Sequence, residues 1–129
     1  MKFLPGFILI LVAITFGYNE YSASAKYEQY NSFLNQLSTS KVTSFEAANA
    51  AKIKLQINCE TTKLQLEKNG SSLDECQTYI SSFHDECKDK VFRLAPLEFS
   101  GTEEFEKYAK RYQRCVLPLD IASMETNFL

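Results

Sequence analysis

Tryptophan is absent from this 129-residue chain, histidine occurs once, and beyond the N-terminus no apolar run approaches the roughly 20 residues needed to cross a bilayer. Each absence excludes something. Without tryptophan, the large rings of any core must come from the 7 tyrosines and 10 phenylalanines. With His84 as the only imidazole, a Ser-His-Asp hydrolase would have to recruit that residue, and no Gly-x-Ser-x-Gly nucleophile motif is present. There is no Cys-x-x-Cys pair, so the usual zinc-ligand spacing is missing as well. A formal net charge of −2 lacks the basic excess of a nucleic-acid or general polyanion binder.

What is present begins at the N-terminus. Lys2 is followed by an apolar stretch from Phe7 to Phe16, too short to span a membrane, and then by the small residues of Ala23-Ser24-Ala25. That order is the pattern of an export signal cleaved after Ala25. A cut after Gly17 fits less well, because Gly17 abuts the apolar run with no polar spacer. Residues 1–25 are therefore read as a signal peptide and residues 26–129 as one secreted, extracellular domain of modest size. Four cysteines, Cys59, Cys76, Cys87 and Cys115, enter an oxidising compartment and are expected to form two disulfides.

Helical spacing runs through the mature chain. Tyr27, Tyr30, Phe33, Leu34 and Leu37 recur in steps of three and four and predict a first helix over Lys26 to Ser40. A second is expected from an N-cap at Ser44 to Asn69-Gly70. Ala48, Ala51, Leu55, Cys59 and Leu66 line one side of it, and Ala50, Ile53, Ile57 and Leu64 line nearly the other, as in a sandwiched central helix. Strand-like alternation at Ile53, Leu55 and Ile57 competes with this reading, but it slips phase after Cys59, and the alanine run disfavours a strand.

Ser72 and Glu75 form a capping-box pattern ahead of a third helix whose stripe is Leu73, Cys76, Ile80, Phe83, Cys87 and Leu94. Phe83 is expected in the core and His84 at the partly exposed edge. Pro96 bounds this helix. Thr102 is the expected cap of a fourth, with Phe105, Tyr108, Tyr112 and Cys115 inward and a stop before Pro118. The tail carries Ile121, Met124, Phe128 and Leu129, either docked or loose.

Geometry restricts the cysteine pairing. Cys76 and Cys87, eleven residues apart on one helix, are separated by roughly 16 Å along its axis, whereas a disulfide needs Cα atoms within about 7 Å. The two remaining pairings differ little. If the second and third helices turn at Asn69-Gly70, Cys59 falls level with about residue 82, nearly midway between its two candidate partners. Slightly shorter offsets favour Cys59 with Cys87 and Cys76 with Cys115.

Three surface features bear on function. Asn69-Gly70-Ser71 matches the N-glycosylation acceptor and sits at a turn, although Asn-Gly also makes an ordinary turn. Lys107, Lys110, Arg111 and Arg114 share the outer face of the fourth helix, where Glu103 and Glu106 stand at pairing distance, as on an ordinary solvated face. His84 lies beside Asp85 and Glu86 but has no second residue at metal-ligand spacing.

The expected protein is an all-α, small disulfide-bonded bundle of about four helices behind a signal peptide. No cofactor, metal, nucleic acid or membrane span is expected of it. Its expected role is non-enzymatic, that of an extracellular binding or signalling protein presenting a surface to a protein partner. The alternative is a carrier of a small hydrophobic ligand in the bundle.

Overall fold

The computed structural model describes residues 24–122 and 128–129. The expected signal segment thus lies outside the described residues except for Ser24 and Ala25, as does Met124. Among the described residues, α1 spans 24–39 and is followed by β1 (Val42–Thr43), α2 (Ser44–Thr61), α3 (Lys63–Lys68) and α4 (Leu73–Phe92). β2 (Glu98–Phe99), α5 (Thr102–Val116) and α6 (Leu119–Ala122) complete the order. This is an all-α bundle cross-linked by two disulfides, with one short antiparallel ribbon in which Val42 faces Phe99 and Thr43 faces Glu98.

Helix α2 is the central element and packs against both α4 and α5. Its composition permits this, because Ala47, Ala48, Ala50 and Ala51 are all buried and let neighbouring backbones approach from more than one side. The cap lies one residue earlier than expected. Thr43, not Ser44, accepts from the Glu46 N–H at 3.1 Å while the Glu46 carboxylate accepts from the Thr43 N–H at 2.9 Å, a complete capping box. Ser44 instead donates its N–H to the Leu97 carbonyl at 3.0 Å, tying the start of α2 to the chain before β2.

The single helix expected over Ser44–Asn69 is broken at Thr62. The hydroxyls of Thr61 and Thr62 both turn back onto the Asn58 carbonyl, at 3.2 and 2.7 Å. Such back-bonding by adjacent β-branched residues competes with regular propagation of the helix. The short α3 then buries Leu66 and leaves Leu64 exposed. It ends as Asn69-Gly70 suggested: Gly70 has φ +81°, its N–H donates to Glu67 O, and the Ser71 N–H donates to Leu66 O. These two bonds make a Schellman motif, whose left-handed position favours glycine.

The break decides the disulfides. Because α2 stops at Thr61 and α4 starts at Leu73, Cys59 stands level with about residue 75 rather than residue 82. The bonds are Cys59–Cys76 and Cys87–Cys115, with Cα separations of 6.0 and 5.7 Å, and not the interlaced pairing favoured by the uninterrupted helix.

Helix α4 starts at the expected cap, Ser72, which accepts from the Glu75 N–H, but the Glu75 carboxylate accepts from the Ser71 hydroxyl at 3.1 Å. Its buried stripe is Cys76, Ile80, His84, Cys87 and Phe92. Phe83 is 41% exposed and His84 only 7%, the reverse of the expectation. At about 100° per residue, His84 sits about 40° past the line of Ile80 and Phe83 about 60° short of it, on the side of the stripe away from its centre. Phe83 instead stacks on Tyr79 at the surface, and Leu94, past the helix end, is also exposed.

Rings fill the space between α1, α4, α5 and the ribbon. Phe33 meets Phe105 edge-on at 4.9 Å, and Phe99 meets Tyr108 at 5.4 Å. Near the chain end, Phe128 is fully buried against Phe105, and its carbonyl accepts from the Tyr30 hydroxyl. The tail therefore docks at Phe128. No helix among the described residues is long and apolar enough to cross a membrane.

Candidate functional site: an amide-lined groove between α1 and α2

Helices α1 and α2 are joined by four residues and run antiparallel, as shown by the Lys26–Glu60 ion pair at 3.0 Å and by the Lys54 ammonium 5.2 Å from the centre of the Tyr30 ring. The inward row of α1 is Tyr30, Phe33 and Leu37. One flank of it carries Gln29, Ser32 and Gln36, again at helical spacing. Across from them on α2 stand Glu46, Asn49, Ala50 and Ile53. Together these side chains bound an open groove of about 280 Å³.

Its chemistry is uniform. Phe33, Ala50 and Ile53 give it an apolar floor, and three carboxamides and one hydroxyl form its walls. Among the described residues, no hydrogen bond to another protein group engages the side chains of Gln29, Ser32, Gln36 or Asn49. Glu46 supplies the only charge, and its carboxylate is engaged by the Thr43 N–H in the α2 cap. The groove therefore combines neutral donors and acceptors with a single negative charge at its Glu46 end.

The residues singled out from sequence lie elsewhere. Asn69 is exposed at the turn after α3. His84 is buried between α4 and α5, with Nδ1 2.7 Å from the Tyr112 hydroxyl. Burial holds the imidazole below its ordinary value; Lys52 and Lys88 lower it further, and Asp85 opposes them. Tyr112 is raised above the usual phenol range, chiefly by burial. On the outer face of α5, Lys110 pairs with Glu106 at 3.0 Å, and the Lys107 and Arg111 cations lie over the Tyr108 ring. Among the described residues, no three His, Cys, Asp or Glu side chains gather as a metal-binding group.

Sequence reasoning passed over the groove. The available signal was the uncharged polar row Gln29, Ser32, Gln36 beside the apolar row of the first helix, and Asn49 alone within an alanine-rich run. The fold and the groove define the class as a small, disulfide-clamped helical bundle with a polar surface cleft. No protein-family model, curated protein or solved structure matches the chain.

Proposed function

We propose that the protein is exported and acts outside the cell as a non-enzymatic binding or signalling protein that engages a protein partner through its surface. The observation that carries this reading is the α1–α2 groove, an open cleft in which the side chains of Gln29, Ser32, Gln36 and Asn49 make no hydrogen bond to another protein group among the described residues. Export is supported by the N-terminal apolar run and by two disulfides, which persist in oxidising compartments. Asn69, exposed in its Asn-Gly-Ser acceptor, is proposed to carry an N-linked glycan.

A carrier of a small hydrophobic ligand has less support. The bundle interior is occupied by Phe99, Phe105, Tyr112 and Phe128, all fully buried, and the amide walls of the groove would lose water against an apolar ligand. The discriminating experiment is secretion of the full chain from eukaryotic cells, native mass spectrometry of the product, and a binding screen against arrayed extracellular proteins. Saturable binding to a specific protein supports the proposal. A co-purifying apolar ligand, with no protein bound, would replace it by the carrier reading.

A further inference from the structure

We infer that Asn69 is a self-modifying site: wherever its carboxamide carries no glycan, it condenses with the Gly70 amide and leaves aspartate and isoaspartate at position 69, at a rate set by opening of the end of α3. This goes beyond the partner-binding reading and does not depend on it.

The chemistry is intramolecular. The Gly70 amide nitrogen loses its proton and bonds to Asn69 Cγ, the Cγ–Nδ2 bond breaks, and Nδ2 leaves with that proton as ammonia, which closes an imide ring. Water then opens the ring at either carbonyl, giving aspartate or, with the main chain rerouted through Cβ, isoaspartate. Glycine leaves the attacking nitrogen least hindered, because it has no β-carbon. Asn69 is the one asparagine of the chain that glycine follows. It is exposed, and its carboxamide makes no hydrogen bond to another protein group among the described residues.

The closed turn does not permit the step. Asn69 has ψ 8°, which sets the Gly70 nitrogen over the Asn69 nitrogen, whereas the imide needs it over Cβ. The Gly70 N–H is also held by the Glu67 carbonyl at 3.2 Å, and the Ser71 N–H by that of Leu66 at 2.8 Å. Reaction therefore waits on opening of this Schellman motif. Helix α3 is suited to open: it has six residues, no side-chain cap and Leu66 as its one buried residue, whereas an isolated helix needs about 12 to 15 residues to hold in water. The Cys59–Cys76 disulfide pins both flanks, so α3 can open without loss of the bundle. Nothing lies within 4 Å of where a Gly70 β-carbon would stand, so no neighbour obstructs the rotation.

The product does not restore the turn. A carboxylate at position 69 stands at the negative end of the α3 dipole, and isoaspartate adds a carbon to the main chain between the Leu66 carbonyl and the Ser71 amide. Conversion also destroys the Asn-Gly-Ser acceptor. Nδ2 is thus either glycosylated or lost, and whichever event comes first excludes the other.

The test uses the full disulfide-bonded chain made without N-glycosylation in a bacterial periplasm, the same chain secreted from eukaryotic cells, and a synthetic peptide of residues 64–74. All are held at neutral pH and body temperature, and conversion at each asparagine is followed by peptide mapping. Asn69 of the unglycosylated protein should convert about tenfold or more faster than Asn31, Asn35 and Asn49, which precede other residues inside longer helices. It should convert about threefold or more slower than in the peptide, which has no closed turn. Glycosylated Asn69 should stay unconverted. Conversion at Asn69 no faster than at the other three would overturn the site, and equal rates in protein and peptide would overturn its control by α3. Glycosylated molecules that convert as fast as bare ones would overturn the exclusion. A eukaryotic product with no glycan at Asn69 would sink the glycosylation reading instead, and both preparations should then convert alike.

Discussion

His84 Nδ1 lies 2.7 Å from the Tyr112 hydroxyl, and this buried bond joins α4 to α5 within one helical turn of the Cys87–Cys115 disulfide on both helices. The two links make the α4–α5 seam a place where polar and covalent cross-bridges stand side by side. The imidazole also meets the Tyr112 ring edge-on at 5.8 Å, so the pair is packed as well as hydrogen-bonded.

The seam makes His84 a stability residue. His84→Ala removes a buried ring and leaves the Tyr112 hydroxyl without this partner, and it should cost about 2 to 4 kcal/mol from the unmet hydrogen bond together with the lost packing. Phe83→Ala, on an exposed side chain, should cost under about 1 kcal/mol. Urea unfolding of both variants checks the contrast. Equal losses would mean that the α4 face is rotated from the arrangement described.

Acid should loosen the same seam. The ordinary imidazole value is 6.5, and burial, with Lys52 from α2 and Lys88 from α4, holds it lower in the folded protein against the opposing pull of Asp85. Above 6.5 the ring is neutral folded or unfolded, and the stability is fully present. As pH falls below that value the unfolded chain takes the proton first, so stability declines until the folded-state value is passed. Urea midpoints between about pH 7.5 and 5, above the range where carboxylates dominate, should therefore fall for the native protein. In His84→Gln the midpoints should fall less over the same range.

The disulfide pairing can be read directly. Peptide mapping without reduction should yield Cys59 linked to Cys76 and Cys87 linked to Cys115. Replacing Cys87 and Cys115 together by Ala should cost about 3 to 4 kcal/mol, because it opens the longer of the two loops, with a sequence separation of 28. The 17-residue separation of the other bond should make its loss slightly less costly.

Processing after Ala25 would leave Lys26 as the first residue, with its ammonium still paired to Glu60 at 3.0 Å. N-terminal sequencing of secreted protein should therefore begin at Lys26. A start at Tyr18 would instead place the cut after Gly17.

Asn69 should carry a glycan in protein from secreting eukaryotic cells. Digestion with a peptide N-glycosidase should lower the apparent mass, and Ser71→Ala should abolish that change whereas Ser71→Thr keeps it.

Much of the bundle was legible in the chain because helix signals are local. The Ser72 cap, the Gly70 terminus and the stop before Pro118 depend on neighbouring backbone groups and on fixed torsions, and each appears where the residues indicate. Alternating burial on the two sides of α2 likewise follows from its residue spacing. Finer rotations were not legible. The spacing admitted both Phe83 and His84 near one stripe, and apolarity pointed to the wrong member of the pair. A polar ring can be buried if its hydrogen bond is met, and the partner that meets it, Tyr112, comes from another helix.

By itself the sequence determined the helical class, the even set of cysteines and the impossibility of joining Cys76 to Cys87, all consequences of the period and rise of a single helix. Only the tertiary structure decided which cysteines meet, because the break at Thr61-Thr62 slides α2 against α4 by more than the difference between the competing pairings. The ribbon of Val42–Thr43 with Glu98–Phe99, the burial of His84 and the groove arose in the same way. Each is made by residues far apart in the chain or on different helices, and the register between packed helices follows from where the chain turns, not from the periodicity of either helix alone.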